Sequence, residues 1–573
     1  MSLKIDLVAM ARRGLNYLTT NPDSENDYLP YFGGKIPEKG LPYFERCPWD
    51  YGDGNGRFVE SIEYCRRMTG FAGAHDVEEG VLRNLYACLE DDGLLYVPET
   101  PWSRHEAPMW SQRGSLLGLS LMYAKTGDPD IKARLAKLVD RLYSMAIRQD
   151  GHLFLMYAWR DGAWLKEGLE TGYHFALPES LITCYQATGN ERALELAIEI
   201  ARGCAYSMHR YFEDDGTWIL DATQEDLDMA ARSDFLQEDE GFKLEPEKAY
   251  LVTTGHVTSR TMSMWGMIRA GKLAGDKTMT ETSRNAFEYL ARHWGSTFGW
   301  FAENAIIAGR ECSELCSLAD VVGALIELAD CGHTCYWNNI ERYARNHLVE
   351  SQFTNGPEVL AVVGDNLKES APAVSDGSRS YRNVLARLDG GFAGPIYPDD
   401  MFSFYFKSRY NPHATRTLDI SGCCSPSGTR TVYMVWNRIF DVLPDGVRVN
   451  LNMSKSNDDA EVKSWRDDEG KVEVTLKKKA GTVRVRLPEW ESGKGVNLSV
   501  GGAPRSFEVK DGYLECPDVR PGEKVILEYD LPAKKTRENV GGIDYDITWK
   551  GDTITSLVNT TDYEPLLPRY QRT

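Results

Sequence analysis

The sequence predicts an α+β protein of two domains. A closed barrel of paired helices, an (α/α)6 barrel, is expected at residues 1–440, and an antiparallel β-sandwich at residues 441–573. Three observations lead to this prediction. A phrase ending in glycine recurs along the first two-thirds of the chain, apolar stripes of helical period accompany it, and apolar and polar residues alternate after residue 440. A chain of 573 residues is also too long for one ordinary core.

The recurring phrase marks the ends of helices. It reads MYAKTG at residues 122–127 and CYQATG at residues 184–189, and its glycine can supply the left-handed cap that ends a helix. Gly70, Gly127 and Gly189 are separated by 57 and 62 residues, and Gly275 and Gly332 again by 57. Each interval accommodates two helices with their connections. An open superhelix is the alternative, but its repeats are usually shorter, at about 34–47 residues.

Two patterns identify the elements themselves. Leu315, Leu318, Val322, Leu325 and Ala329 follow one another at intervals of three and four, which predicts a helix with one apolar face. After residue 440 the chain instead alternates with period two, which predicts short antiparallel strands separated by turns. These runs are VRVNLN at 447–452, KVEVTL at 471–476, VRVRL at 483–487 and VILEY at 525–529.

Composition excludes several classes of protein. A net charge of −20 disfavours partners that carry phosphates, so we expect neither nucleic-acid nor membrane binding. The start of the chain has no apolar run behind basic residues, and no stretch of 18 apolar residues follows, so a cytoplasmic protein is expected. In that compartment the 12 cysteines stay mostly reduced, which favours metal binding or catalysis over disulfides. Phosphate-binding loops, nucleophile elbows and HExxH motifs are absent from the sequence.

Two adjacent cysteines are the most informative motif. Cys423 and Cys424 lie in DISGCCSPSGTR at residues 419–430. Neighbouring cysteines rarely bond to each other because the resulting ring is strained. The pair is therefore interpreted as two thiolates on one soft metal ion, as one activated thiol beside a helper, or as two small buried residues in a bend.

A second cluster could complete a metal site. Cys312, Glu314 and Cys316 lie directly before the apolar-striped helix. Zinc prefers four ligands, and two from this cluster together with Cys423 and Cys424 would suffice. Cys312 and Cys316 share a helix face, whereas Glu314 and Cys316 suit a helix entrance. Alternatively, Glu311 and Glu314 only stabilise the helix N-terminus electrostatically, and the cysteines are packed in the core as small apolar residues.

Candidate acids, bases and binding residues are less specific. Glu303 follows two tryptophans, and burial there would raise its pKa toward the range that a general acid needs. His256 precedes a predicted helix, and His174 lies in a Gly-Tyr-His-Phe sequence. Each histidine could equally be a satisfied core residue, and Glu303 an ordinary surface residue.

Taken together, these motifs resemble glycoside hydrolase family 127, the zinc-dependent β-L-arabinofuranosidases. The family pattern is E-T-C, followed later by C-C-P-P-N and an arginine, and Glu314, Cys316, Cys423, Cys424 and Arg430 match it. The sequence Gly255-His256 with Arg260 resembles its G-H-x-x-R motif, and VRVRLPEW at residues 483–490 resembles its R-I-P-x-W strand. Ser425, Ser427 and Leu315 depart from the family pattern.

The resemblance implies a function and a cofactor. Glu314, Cys316, Cys423 and Cys424 would bind Zn²⁺, and Cys423 would also be the nucleophile of a retaining glycoside hydrolase. Glu303 would be the acid/base, with Glu311 as the second choice. His256 and His174 would contact the carbohydrate substrate, a β-L-arabinofuranoside-like sugar.

Two other classes of function remain open. The first is another (α/α)6 carbohydrate enzyme, such as a 2-epimerase or an unsaturated glucuronyl hydrolase, which would lack the zinc ligands. The second is a non-catalytic, zinc-stapled carbohydrate-binding protein. Metal content separates the first class from a family 127 enzyme, and turnover separates the second.

Overall fold

Six helices form a closed inner ring in the computed structural model. The structure describes residues 5–149, 151–156, 158–164, 176–207, 209–220, 255–306, 312–374, 376–404 and 415–571. Each inner helix contacts the next along the chain, and the last contacts the first. The inner helices are α2 (Asp53–Thr69), α4 (Met109–Thr126), α6 (Leu177–Thr188), α8 (Val257–Ala274), α10 (Leu315–Asp330) and α14 (Cys424–Asn437).

A second layer of helices surrounds this ring. Helix α1 packs against α2 and α14, and each other outer helix follows an inner helix and packs on it. This arrangement, with its two layers of paired helices, confirms the predicted (α/α)6 barrel. The outer helices are α1 (Leu7–Thr20), α3 (His75–Ala87), α5 (Pro129–Met145), α7 (Glu191–Tyr206), α9 (Lys277–His293) and α11 (Tyr336–Tyr343); α12 (Pro357–Val363) and α13 (Val384–Leu388) are short additions.

Four of the five predicted glycines cap inner helices as expected, whereas Gly332 follows Cys331, the C-cap residue of α10. Gly70, Gly127, Gly189 and Gly275 cap α2, α4, α6 and α8 in the left-handed conformation, with φ between 67° and 73°. The last inner helix, α14, begins at Cys424, so the two adjacent cysteines lie at its N-terminus. Pro426 is compatible with this start, since the first turn of a helix needs no backbone N–H from that residue.

Helices α2 and α4 cross at very short range because both carry glycine at the crossing. A Cβ on Gly56 would lie 1.9 Å from the carbonyl oxygen of Gly114. Any side chain at this position therefore forces the two inner helices apart.

We expect Gly56→Ala to destabilise the barrel by about 1–3 kcal/mol, since the added methyl group overpacks two backbones. Thermal unfolding followed by circular dichroism measures the loss. Gly14→Ala is the matched control, because its Cβ would meet only the Thr429 side chain, at 3.2 Å or more. Equal melting temperatures for the two variants would contradict this packing.

The C-terminal part contains two facing sheets. One has the strand order β10-β11-β15-β19-β18 and the other β12-β13-β14-β20-β16-β17. All pairs are antiparallel except β11 and β15, which run parallel, and alternate valines and leucines of both sheets are buried between them. The strands are β10 (Phe440–Leu443), β11 (Gly446–Val449), β12 (Lys455–Ser456), β13 (Ala460–Ser464), β14 (Lys471–Leu476), β15 (Gly481–Arg486), β16 (Asn497–Val500), β17 (Ala503–Pro504), β18 (Glu508–Lys510), β19 (Tyr513–Val519) and β20 (Lys524–Glu528).

A further C-terminal sheet of three strands is separate from the two facing sheets and packs against the barrel. Its buried face packs against Phe298, Trp300 and Ala302, the segment that leads to Glu303. The sequence analysis did not predict this contact, because it assigned the whole of residues 441–573 to a sandwich. The sheet contains β21 (Ala533–Val540), β22 (Ile543–Lys550) and β23 (Thr553–Asn559).

Short strands inside the barrel region brace its loops. The sheet β8-β2-β1-β9 ends two residues before the Ser-Gly-Cys-Cys turn, and the Ile420 N–H donates to the Gly34 carbonyl at 2.8 Å. Among the described residues, no helix has both the length and the apolar character that a membrane span requires. The strands are β1 (Gly33–Pro37), β2 (Tyr43–Glu45), β3 (Ala107–Pro108), β4 (Ile147–Gln149), β5 (His152–Phe154), β6 (Ala158–Arg160), β7 (Ala163–Trp164), β8 (Arg379–Ser380) and β9 (Thr417–Asp419).

Candidate metal centre and active site

Three inner helices begin at the candidate site. His256 is the N-cap residue of α8, Glu314 that of α10 and Cys423 that of α14. Helix N-termini carry partial positive charge and unpaired N–H groups, so they favour the anionic side chains that a metal site needs. The barrel therefore gathers residues that are more than 50 positions apart in the sequence.

Two cysteines from α14 and two residues from the start of α10 form one compact group. One ligand atom from each of Glu314, Cys316, Cys423 and Cys424 lies within 4.8 Å of the others. The Cys424 sulfur is 3.7 Å from the sulfurs of both Cys316 and Cys423. Glu314 Oε1 lies 3.4 Å from the Cys423 sulfur and 3.8 Å from the Cys424 sulfur. This donor set, three thiols and a carboxylate around one point, fits a metal ion.

The three sulfurs differ in their access to solvent. Cys424 is fully buried and Cys316 is 1% exposed, whereas Cys423 is 8% exposed. Cys423 is thus the thiol of this group that an external molecule reaches most directly.

The second oxygen of Glu314 is held by groups outside the cluster. Glu314 Oε2 is 2.8 Å from His256 Nε2 and accepts a hydrogen bond from Thr258 Oγ1 at 3.0 Å. Burial raises the pKa of this carboxyl, but His256, Thr258 and Cys423 outweigh burial and lower it to about 2. Glu314 is therefore ionised and oriented, as a metal-binding carboxylate must be.

Glu303 borders the same group. Side-chain atoms of His256, Glu303 and Glu314 lie within 4.8 Å of one another, and Glu303 is only 3% exposed. The Cys312 thiol donates to Glu303 Oε2 at 3.4 Å. The structure thus brings together Glu314 and Cys316, and places Cys312 beside the candidate acid/base instead of among the metal-binding atoms.

Two predicted residues lie outside the described part of the chain. His174, a predicted substrate contact, falls in residues 165–175, and Glu311, the second choice for the acid/base, falls in residues 307–311. His256 is within the described part and contacts Glu314.

Several buried charged residues of the inner helices escaped the sequence analysis. Arg57 of α2 donates to Asp53 at 2.9 Å and to Ser427 at 2.8 Å. Burial opposes its charge, but Asp53, Cys316 and Cys423 outweigh burial and raise the pKa of Arg57 well above its ordinary value. A charged residue repeated on the buried face of a helix is a signal that a helical-wheel analysis of α2 could have detected.

Similar proteins share this fold. The family described as beta-L-arabinofuranosidase, GH127 catalytic domain, matches residues 98–226. A non-reducing end β-L-arabinofuranosidase of Bifidobacterium longum subsp. longum is 22% identical over 493 residues, which cover 72% of this chain and 69% of that protein.

Two solved structures give the same result for the fold. The GH127 β-L-arabinofuranosidase Ara127N-Se from Geobacillus stearothermophilus T6 aligns with a TM-score of 0.56 and 14% identity, over 95% of this chain and 80% of that one. The GH127 β-arabinofuranosidase BT3674 aligns with a TM-score of 0.59 and 16% identity, over 96% and 80% of the two chains.

The fold is an (α/α)6 barrel, the architecture that the chain shares with the two GH127 enzymes. The comparisons confirm in particular the resemblance to glycoside hydrolase family 127 that the motifs indicated. The matched family segment ends before Glu314, so the metal-binding group is supported by its own geometry and motif.

Proposed function

We propose that the chain is a retaining glycoside hydrolase that releases a β-L-arabinofuranose-type sugar, with a zinc-bound cysteine as its nucleophile. The observation that carries this proposal is the convergence of Glu303 and the partly exposed Cys423 on the group formed by Glu314, Cys316 and Cys424. The substrate class comes from the named activity of the similar proteins. Residues 1–440 would form the catalytic domain and residues 441–573 the accessory domain.

Zinc is the metal that the distances favour. Zinc binds sulfur at about 2.3 Å and oxygen at about 2.0 Å, so a regular tetrahedron separates two sulfurs by about 3.8 Å and a sulfur and an oxygen by about 3.5 Å. The corresponding distances in the group are 3.7 Å for two sulfur pairs, and 3.4 and 3.8 Å for the two sulfur–oxygen pairs. The soft thiolates also disfavour magnesium and calcium, which take oxygen ligands.

The metal ion and the surrounding residues would have different roles. When bound, Zn²⁺ would keep the Cys423 thiol deprotonated at neutral pH. An ordinary cysteine thiol, with a pKa of about 8.5, is mostly protonated at that pH. Cys316, Cys424 and Glu314 would hold the ion and add negative charge around it, which preserves nucleophilic character at Cys423. His256 and Thr258 would keep Glu314 in place through its second oxygen.

The reaction would follow two displacements at the anomeric carbon. First, the Cys423 sulfur bonds to that carbon while the glycosidic C–O bond breaks, and Glu303 gives its proton to the departing oxygen. Then Glu303 takes a proton from water, the water oxygen bonds to the anomeric carbon, and the C–S bond breaks to return the thiolate. Two inversions give net retention.

Glu303→Gln tests the acid/base role. We expect kcat for an alkyl furanoside to fall by about 10²–10⁴-fold, because an alkoxide leaves poorly without a proton. For an aryl furanoside with a strongly acidic phenol, the first step should stay fast and the second should become rate-limiting, so that KM falls with kcat. Steady-state and burst kinetics on both substrates measure this difference.

Glu213→Gln is the matched control, since Glu213 is a half-exposed residue paired with Arg210. It should leave both substrates unaffected. Equal losses of kcat/KM on alkyl and aryl substrates in Glu303→Gln would contradict the role of Glu303 as general acid.

A further inference from the structure

A small polar cavity lies inside the barrel, one to two turns below the N-terminal ends of three inner helices. Its lining comes from α2, α4 and α14 and leaves about 10 Å³ for an occupant of water size. A space of this size suits one water molecule or one monatomic ion. The lining residues include Arg57, Glu60, Arg113, Leu117, Ser427 and Arg430, all of them buried.

The lining is predominantly cationic. Three guanidinium groups face one carboxylate, that of Glu60. Glu60 already has partners, because its Oε1 accepts from the Tyr64 hydroxyl at 3.1 Å and lies 3.4 Å from Arg430 Nε. Arg430 in turn donates to Glu179 at 2.5 Å. Of the three arginines, Arg430 is therefore well compensated.

Arg113 and Arg57 retain donors without acceptors. Within the described ranges, Arg113 Nε and Nη1 and Arg57 Nη2 have no hydrogen-bond partner, although Arg113 is 1% exposed and Arg57 is 4% exposed. The contact of Arg113 with Glu179 is long, at 3.5 Å. Buried N–H donors of charged groups are costly when they have no acceptor, so an acceptor in the cavity would stabilise the fold.

The carboxylates nearest to Arg57 and Arg113 already have hydrogen-bond partners. Asp53 accepts a hydrogen bond from Arg57, and Glu179 accepts hydrogen bonds from Arg269. Asp320 accepts a hydrogen bond from the Thr261 hydroxyl at 3.3 Å. Burial and the nearby charge of Arg57 lower the pKa of Arg113, whereas Glu179 and Asp320 oppose that effect. An acceptor between the two guanidinium groups would offset their mutual repulsion.

We propose that this cavity is a binding site for one monatomic halide, chloride under ordinary conditions, held between the guanidinium groups of Arg57 and Arg113. A halide accepts hydrogen bonds from any direction and needs no acceptor from the protein, which suits a lining rich in arginine N–H donors. The site is distinct from the metal-binding group, and it adjoins that group through Arg57, which interacts with the Cys316 and Cys423 sulfurs.

Thermal unfolding of the metal-loaded protein tests the proposal independently of the reaction. We expect sodium chloride and sodium bromide to raise the melting temperature saturably, by roughly 2–4 °C, relative to sodium gluconate of equal ionic strength. Arg113→Met should abolish this difference. Arg134→Met, which removes an exposed arginine paired with Asp130, should preserve it.

Crystals soaked in bromide give a second readout that needs no variant. An anomalous peak between Arg57 and Arg113 is the expected result, and it decides the question even if Arg113→Met does not fold. The same melting temperature in chloride and gluconate, or a cavity that contains only water in bromide, would overturn the proposal.

Discussion

Replacing Cys423 by serine lowers kcat by about 10⁴-fold or more while the protein remains folded. A serine hydroxyl is not ionised at neutral pH, and oxygen is a poorer ligand than sulfur for a soft metal, so both nucleophilic attack and its activation are lost. Losses of this size accompany removal of the nucleophile in enzymes that form covalent intermediates. Steady-state hydrolysis of an aryl β-L-arabinofuranoside, with metal analysis of the same sample, measures the effect. The wild-type chain is expected to contain one zinc ion.

Cys424→Ser and Cys335→Ser are the matched controls. Cys424 would bind the metal without attacking, so its variant should lose zinc affinity and regain part of its activity when zinc is added. Cys335 is an exposed cysteine, and its variant should be indistinguishable from the wild type. If Cys423→Ser only lowers the melting temperature, and no glycoside is hydrolysed by any variant or by the wild type, the zinc-stapled binding protein becomes the correct interpretation.

Replacing Glu341 by glutamine destabilises the chain by about 3–5 kcal/mol, since one buried carboxylate joins the barrel to the sandwich. Glu341 of α11 accepts from Arg345 at 3.0 Å and pairs with Arg466 and Arg486 of the C-terminal region. The Asn452 N–H donates to its second oxygen at 3.1 Å. A neutral amide leaves three buried guanidinium groups short of one negative charge.

The effect of this substitution should depend on pH in a defined direction. Burial raises the pKa of Glu341, but Arg466, Arg486 and Arg345 outweigh burial and lower it from 4.5 to about 2. The carboxylate therefore stabilises the fold fully above about pH 4.5, and this contribution is lost as the pH falls toward 2. The difference in melting temperature between wild type and Glu341→Gln should shrink over that interval.

Glu281→Gln is the control, because Glu281 is a half-exposed residue paired with Arg284 at the surface. Its substitution should change stability by no more than about 0.5 kcal/mol. A Glu341→Gln variant as stable as this control at pH 7 would contradict the role of Glu341 as a link between the two parts of the chain.

Local chemistry explains why the barrel was predictable. Gly70, Gly127, Gly189 and Gly275 each adopt the left-handed conformation that their position after an apolar helix requires. Apolar and polar residues likewise alternate along VRVRL and KVEVTL because successive side chains of a strand point to opposite faces of the sheet. The adjacent cysteines and the Glu-x-Cys motif were visible for the same reason, since each pair lies within one turn of a helix start.

Contacts between distant segments were not predictable from one sequence. The Cys312–Glu303 hydrogen bond depends on how two loops meet, and no periodicity encodes it. The same holds for the C-terminal sheet that packs on Trp300 and for the contact of Arg57 with Ser427 of α14.

Trapping the covalent intermediate tests the central claim most directly. Glu303→Gln mixed with an aryl β-L-arabinofuranoside should complete the first displacement and stall before the second, because no base activates water. Mass spectrometry of the rapidly quenched protein is then expected to show one added pentosyl group, located on the peptide that contains Cys423. An adduct on a carboxylate, or product of inverted configuration formed with no adduct, would contradict the account.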